Sequence, residues 1–194
     1  PRTRDAFIVR LKGLWNDGYM GGLGRLLSAL TFALVFVCTA LAQDSAPEFL
    51  SKNETAKFVE PPYALGESFG PGSWELINLD GRVAGYGFES KPLAPLPGFS
   101  GAPINMFVMI TVEGTFIDVK LIRHNEPIFV SGLGEAPLRN FLSQYKGRSI
   151  TDSLVVGVPY GGKNDGSSLV YLDGVTKATA SVRIAHESIL GAAQ

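Results

Sequence analysis

The chain has 194 residues, of which 45% are hydrophobic and 18% are charged, which suffices for about one domain with a buried core and excludes a disordered chain. The formal net charge of −1 leaves no broad basic surface, so nucleic acid is not expected as a partner. With one cysteine, Cys38, and two histidines, no zinc, iron–sulfur or histidine-rich metal site is expected.

The N-terminal quarter differs in composition from the rest. Residues 26–42 form an uncharged apolar run, which follows Arg25 and closes with Ala40-Leu41-Ala42. This pattern predicts a secretory signal peptide cleaved after Ala42, with an uncleaved membrane anchor as the alternative. We therefore expect three parts: an N-terminal extension with a signal peptide or anchor helix (1–42), a linker (43–62) and one folded domain (63–194).

Two β-hairpins are predicted after the linker. Their sequences are WELINL-DG-RVAGYGF (74–88) and INMFVMITV-EG-TFIDVKLIR (104–123). The central glycine of each supplies the positive φ that a tight two-residue turn needs. The segment between them, KPLAPLPGFSGAP (91–103), is too rich in proline for a sheet interior and is predicted to be a surface loop.

Two helices and two short strands complete the predicted elements. The first helix starts after Gly134 with Pro137 in its first turn and stops at Gly147, with apolar residues at helical spacing between them. The strands cover 153–158 and 168–172 and flank the loop PYGGKNDGS. The last helix spans 178–192 and carries Val182, Ala185 and Ile189 on one stripe. The chain is therefore predicted to be α+β, a compact antiparallel sheet of hairpins with two packed helices.

Several catalytic patterns fail on their spacing. GFSGA (98–102) resembles a nucleophile elbow, but Ala102 replaces the final glycine and Pro103 follows, so the required helix cannot start there. GGKNDGSS lacks the spacing of a phosphate-binding loop. His186 is interpreted as a lone histidine on the exposed side of the last helix, beside Glu187. No catalytic residue is assigned.

The stretch HNEPIFVSGLG (124–134) is a candidate binding segment. It follows a strand and places His124 and Glu126 two residues apart, and its small residues Ser131, Gly132 and Gly134 allow the backbone to approach a flat ligand closely. The alternative is an ordinary strand-to-helix connection whose glycines serve turn geometry.

The stretch DGVTKATAS (173–181) leads into the last helix. In the ordinary interpretation, Asp173 or Thr176 caps that helix. In the other, a threonine carries a phosphate ester, because a helix N-terminus presents free N–H groups and a partial positive charge to an anion. Ala178 has little bulk to obstruct an incoming group, and Asp173 is placed to assist a modifying enzyme.

A family resemblance helps to decide between a capping residue and a phosphate ester at this helix. The three stretches GYGFESKPLAPLPGFSGAPIN (85–105), HNEPIFVSGLGEAPLRNFLSQYKG (124–147) and DGVTKATAS (173–181) resemble the periplasmic flavin-binding domain of the NosR/NirI family, proteins that support nitrous oxide reductase. The chain is more distantly similar to the FMN-carrying subunits of the Rnf and sodium-pumping quinone reductase complexes. Full members of the family continue into membrane helices, so we expect a truncated or short homologue.

The resemblance implies a covalent cofactor. FMN would be joined through its phosphate to Thr179 by a flavin transferase, with Asp173, Thr176 and Ala178 at the other motif positions. Lys177 stands where the family usually has glycine; a lysine fits this position if its φ is negative, and its charge would favour the phosphate. The residues expected to line the flavin are His124, Glu126 and the backbone of Ser131, Gly132, Leu133 and Gly134.

The resemblance also implies a function. The expected protein is a periplasmic, covalently flavinylated electron-transfer domain rather than a stand-alone enzyme, supporting nitrous oxide reductase activity, maturation or expression in denitrification. Its expected partners are the flavin transferase, membrane electron-transfer proteins and the nitrous oxide reductase system. The alternative is a flavin-free periplasmic binding or sensory module of the same fold, which Lys177 favours.

Overall fold

A computed structural model describes residues 49–157 and 168–194. The predicted signal or anchor run, 26–42, and the PYGGKNDGS loop lie outside the described residues. Within the described part of the chain, no helix is long and apolar enough to cross a membrane.

The domain is built on an antiparallel sheet of five strands. The order in the sheet is the order in the sequence, so each strand pairs with the one before it. The strands are β1 (Ala64–Gly70), β2 (Ser73–Ile77), β3 (Val83–Glu89), β4 (Asn105–Thr111) and β5 (Phe116–Arg123). Both predicted hairpins and the α+β class are confirmed, whereas β1, an edge strand, was not predicted.

The two predicted hairpins close with three-residue turns instead of two-residue turns. In the second, the Thr111 N–H donates to the Thr115 oxygen over 2.8 Å, which leaves three residues in the loop. Gly114 has φ 80°, and Gly81 in the first hairpin has φ 74°. A single left-handed residue after a type I turn fits this loop length, so the glycines act as predicted but in a longer turn.

Short helices and a second sheet surround the main sheet. The segment expected to be linker contains α1 (Lys52–Thr55) and a 3₁₀ turn. The proline-rich loop begins as one helical turn, α2 (Ser90–Leu93). The remaining elements are a π-helical turn (Phe129–Leu133), α3 (Ala136–Ser143), β6 (Ser153–Val156), β7 (Leu169–Leu172) and α4 (Thr179–Ala192). Strands β6 and β7 pair in parallel.

The core lies between one face of the main sheet and the two longer helices. Helix α3 buries Leu138, Phe141 and Leu142, and α4 buries the predicted stripe of Val182, Ala185 and Ile189. A smaller cluster on the opposite sheet face is centred on Leu76, Phe107 and Met109. The main core therefore holds the start of α4 at a fixed position beside the sheet.

Candidate functional site

Helix α4 begins at Thr179, and no side chain caps it. Its N-cap residue is Ala178, which has no side chain able to accept a hydrogen bond. Neither Asp173 nor Thr176 acts as the predicted cap: the backbone of Asp173 pairs instead with the side-chain amide of Gln144, at 2.7 and 3.0 Å. Thr179 is exposed. The first N–H groups of the helix therefore lack a side-chain acceptor and can bind an anion.

The turn before α4 gives Lys177 a left-handed backbone. The Ala178 N–H donates to the Val175 oxygen over 3.0 Å, which makes Lys177 the third residue of a four-residue turn. Its φ is +71°, so the negative φ that would accommodate a lysine easily is not adopted. A positive φ at this turn position favours glycine, because a Cβ crowds the backbone there.

A cleft of about 470 Å³ lies beside this turn. It is open and largely apolar, and three separate segments of the chain form its walls. The lining residues are Phe99, Pro127, Ile128, Ser131, Gly132, Lys177, Ala178, Ala180 and Ser181. Of the predicted site residues, Ser131, Gly132 and Ala178 line this cleft, and Thr179 lies between two residues that line it.

Two other predicted residues face a different depression. Asp173 and Thr176 line a shallow groove of about 480 Å³ together with residues of α3, among them Gln144. Neither is among the residues that line the cleft beside Thr179. The turn therefore lies between the two depressions, with Asp173 and Thr176 on one side and Ala178 on the other.

The HNEPIFVSGLG stretch forms one wall of the cleft through its π-helical turn. The backbone oxygen of Glu126 accepts hydrogen bonds from the N–H groups of Phe129 and Val130, at 3.1 and 3.0 Å, which starts the turn. Leu133 is partly exposed, and Gly134 ends the turn with φ 73°. Neither Leu133 nor Gly134 lines the cleft.

Glu126 lies behind the cleft wall and is fully buried. Its Oε1 accepts the N–H of Ser100 over 3.3 Å, and its Oε2 accepts the hydroxyl of Ser181 in a short hydrogen bond. Ser181 itself lines the cleft. Glu126 is therefore connected to the cleft through a neighbour and does not contribute to its surface.

His124 is also buried beneath the surface, with 2% of its side chain exposed. Its Nδ1 accepts the N–H of Glu126 over 3.1 Å, which assigns a proton to Nε2 in the neutral ring. Nε2 lies 3.4 Å from Oε1 of Glu135. A hydrogen bond from Arg139 is the main cause of the lowered pKa of Glu135, and His124 contributes less.

His186 is buried, and its assignment to the exposed side of α4 is wrong. Its Nδ1 lies 2.6 Å from the hydroxyl of Tyr145, which is itself fully buried. Burial lowers the pKa of His186 and raises that of Tyr145, because water no longer solvates the charged forms. Among the described residues, no group of three or more metal-ligating side chains is close enough to hold a metal ion.

Residues from the proline-rich loop and the first turn of α4 complete the site but were not predicted. Phe99 is 75% exposed and lines the cleft. Gly98 lies against Glu126: a Cβ there would sit 2.2 Å from Oε1. The sequence could have indicated Ser181, because it is a polar residue two positions after Thr179 in the DGVTKATAS stretch. No short pattern connects Gly98 to a residue 28 positions later.

Comparison with known proteins gives curated relatives but no matching family model. Regulatory protein NosR of Stutzerimonas stutzeri is 28% identical over 162 residues, which is 84% of this chain and 22% of that protein. Regulatory protein NosR of Pseudomonas aeruginosa is 26% identical over 90% of the chain and 23% of its own length. Protein NirI of Paracoccus denitrificans is 24% identical over 88% of the chain and 23% of its own length. The chain thus spans less than a quarter of these relatives.

Proposed function

We propose that the chain is a member of the NosR/NirI family, to whose proteins it is 24–28% identical, and that its folded domain carries FMN as a phosphate ester on Thr179 and transfers electrons. The observation that carries this proposal is an exposed threonine in the first turn of an uncapped helix, beside a largely apolar cleft. In this proposal, Thr179 is an attachment point and not a catalytic residue.

The start of α4 fits a phosphate diester. The diester keeps one negative charge, which free N–H groups and the helix dipole stabilise without an arginine. No side chain competes for those N–H groups, because the N-cap is Ala178. The exposed Lys177 adds a positive charge next to this position. These features explain how an anion is held at Thr179 once the ester forms.

The cleft fits a flat, partly apolar ring system. Its volume of about 470 Å³ lies within the range typical of small-molecule sites. Phe99 and Ile128 offer apolar surface, while Ser131 offers a hydroxyl group at the same opening. Gly132 lets the backbone come close to a ring face. In this proposal, the residues that hold the flavin come from all three walls.

The bound flavin supplies the reversible uptake and release of electrons, and the protein supplies binding and orientation. A covalent link suits a domain outside the cytoplasm, because a free cofactor would be diluted there below its dissociation constant. We propose a periplasmic location for this reason. The loading partner is a flavin transferase. Thr179 Oγ attacks the flavin-side phosphorus of a pyrophosphate donor, and a nucleoside monophosphate leaves while the hydroxyl proton is released.

The wider role follows from the relatives. Two of them are named as regulatory proteins. We propose that this chain acts in denitrification, supporting nitrous oxide reductase or the regulation of nitrite reductase by passing electrons to or from membrane partners. A flavin-free binding or sensory module of the same fold is the second candidate. The strained backbone of Lys177, where glycine is preferred, is the feature that favours it.

Coexpression with a flavin transferase tests the proposal. The wild-type protein should gain the mass of one FMN less one water and give a fluorescent band on a denaturing gel. Thr179→Ala should abolish both signals, whereas Thr151→Ala, which removes an exposed threonine outside the motif, should keep them. A wild-type protein that stays colourless and unmodified would refute the flavin assignment and favour the second candidate.

A further inference from the structure

We propose that Glu126 is a positioning residue that holds the three walls of the cleft together from behind, without lining it. The consequence for flavin loading rests on the proposed function above. The consequence for the local structure does not, because it concerns the protein without flavin.

The contacts of Glu126 reach all three walls. Its own segment continues into Pro127 and Ile128, which line the cleft. Its Oε1 accepts the N–H of Ser100, the neighbour of the lining residue Phe99. Its Oε2 accepts the hydroxyl of Ser181 in the first turn of α4, two residues after Thr179. One side chain therefore connects the proline-rich loop, the HNEP segment and the start of α4.

The chain around Glu126 is shaped to receive the carboxyl group. A Cβ at Gly98 would lie 2.2 Å from Oε1 and 2.8 Å from the oxygen of Ala102, so the loop approaches this closely only with glycine. The backbone of Glu126 is fixed too, because its N–H donates to Nδ1 of His124 over 3.1 Å. The position of the carboxyl group is thus set by several independent contacts.

Removing this group would have a local effect. A buried hydrogen-bonding group that loses its partner destabilises the conformation that buries it. In Glu126→Ala, the buried hydroxyl of Ser181 and the partly buried N–H of Ser100 lose their acceptor. The proline-rich loop is then free to move away from the start of α4, and the cleft loses one wall. A group that reacts at Thr179 needs that wall in place, because loading depends on geometry.

A glutamine at position 126 tests whether the side chain acts through its hydrogen bonds or through its negative charge. In Glu126→Gln, the amide oxygen accepts from Ser100, and the amide nitrogen donates to the oxygen of Ser181. Both connections are kept at the same side-chain size. We therefore expect the glutamine variant to rescue what the alanine variant loses, which a requirement for the negative charge of the carboxylate would not predict.

Amide hydrogen exchange on the flavin-free protein tests the local part. The Ser100 amide should exchange about tenfold faster or more in Glu126→Ala, and near the wild-type rate in Glu126→Gln. Exchange at Val108 in the buried strand β4 should not change, which distinguishes local opening from global unfolding. Unchanged exchange at Ser100 in the alanine variant would overturn the proposal.

Flavin loading tests the second part. With a flavin transferase, Glu126→Ala should load about tenfold more slowly or worse than the wild type, and Glu126→Gln close to the wild-type rate. If the wild type takes no flavin, the proposed function fails while the exchange result still decides the role of Glu126. If the wild type loads and the alanine variant loads equally well, the positioning role is wrong.

A second variant covers the case in which Glu126→Ala does not fold. Ser181→Ala removes one contact of the carboxyl group and should slow loading and speed exchange at Ser100. Ser188→Ala is the matched control, because Ser188 is a buried serine of the same helix whose hydroxyl has no hydrogen-bond partner within residues 49–157 and 168–194. Equal loading and exchange in the two serine variants would also overturn the proposal.

Discussion

Replacing Lys177 with glycine should stabilise the fold. Among the residues that the structure describes, Lys177 is the one non-glycine residue with positive φ, at 71°. This conformation costs an L-residue about 1–2 kcal/mol. Glycine removes that cost, but it also makes the unfolded chain more flexible, which lowers the free energy of unfolding by about 0.4–1 kcal/mol. The side chain is exposed, so little packing is lost. The net expectation for Lys177→Gly is a gain of roughly 0.5–1 kcal/mol in the free energy of unfolding.

Thermal and chemical denaturation measure this gain. For a domain of this size, the expected rise in Tm is about 1–4 °C. Lys177→Ala is the matched control, because alanine removes the charge and the long side chain but keeps the unfavourable backbone. Gly147→Ala tests the reverse change. Gly147 has φ 78°, and a Cβ there meets no atom within 4 Å, so the backbone alone should cost about 1 kcal/mol.

The prediction is wrong if Lys177→Ala stabilises the fold as much as Lys177→Gly, since the gain would then come from removing the lysine side chain. It also fails if Lys177→Gly lowers the free energy of unfolding. Either result would mean that the positive φ at the entrance to α4 carries no cost in this protein.

Two further predictions concern buried groups. Gly98→Ala should lower the free energy of unfolding by about 1–3 kcal/mol, because its Cβ would overlap Glu126. The control in chemical denaturation is Gly132→Ala, whose Cβ makes only an ordinary 3.5 Å contact. Equal losses of stability in the two variants would contradict the clash at Gly98. Burial lowers the pKa of His186 from 6.5, so as the pH falls through 6.5 the unfolded state binds a proton first and the free energy of unfolding should decrease. His186→Gln should flatten this dependence, and an unchanged pH profile would contradict it.

The sequence predicts the elements that depend on local signals. Turn glycines mark the two central hairpins, and Gly81 and Gly114 have the expected positive φ. Strand β1 (Ala64–Gly70) has no such signal, because it lies at the sheet edge with mostly exposed side chains and little alternation. The parallel pairing of β6 with β7 joins segments separated by the PYGGKNDGS loop. Such a pairing depends on the rest of the fold and is not encoded in either strand alone.

The burial of His186 is one error that the sequence could have prevented. Val182, Ala185, His186 and Ile189 have the spacing i, i+3, i+4 and i+7, which places all four on one helix face. A histidine on that stripe is expected to be buried with a partner. The partner, Tyr145, lies 41 residues earlier. Only the folded chain, which brings the segment just after α3 against α4, reveals that pair.

The candidate site is predicted where its residues are adjacent in sequence and missed where they meet through folding. Ser131, Gly132 and Ala178 belong to recognisable stretches and line the cleft. Phe99 reaches the cleft only because its loop folds back onto Glu126, and sequence separation hides that contact. For the same reason, the sequence does not show that Glu126, which the resemblance predicts to line the flavin, is buried behind the cleft wall.

Two locally unfavourable choices occur next to each other at the start of α4. Lys177 adopts a backbone that favours glycine, and Ala178 stands at an N-cap where serine, threonine, asparagine or aspartate would stabilise the helix by about 1 kcal/mol. The missing cap is the departure that bears on the proposed attachment, because proteins tend to break such local rules at functional sites. A capping side chain at position 178 would occupy the N–H groups that a phosphate on Thr179 needs. The absence of a cap at Ala178 therefore costs stability in the free protein and leaves a site for an anion, which supports the proposed attachment at Thr179 on physical grounds independent of the relatives.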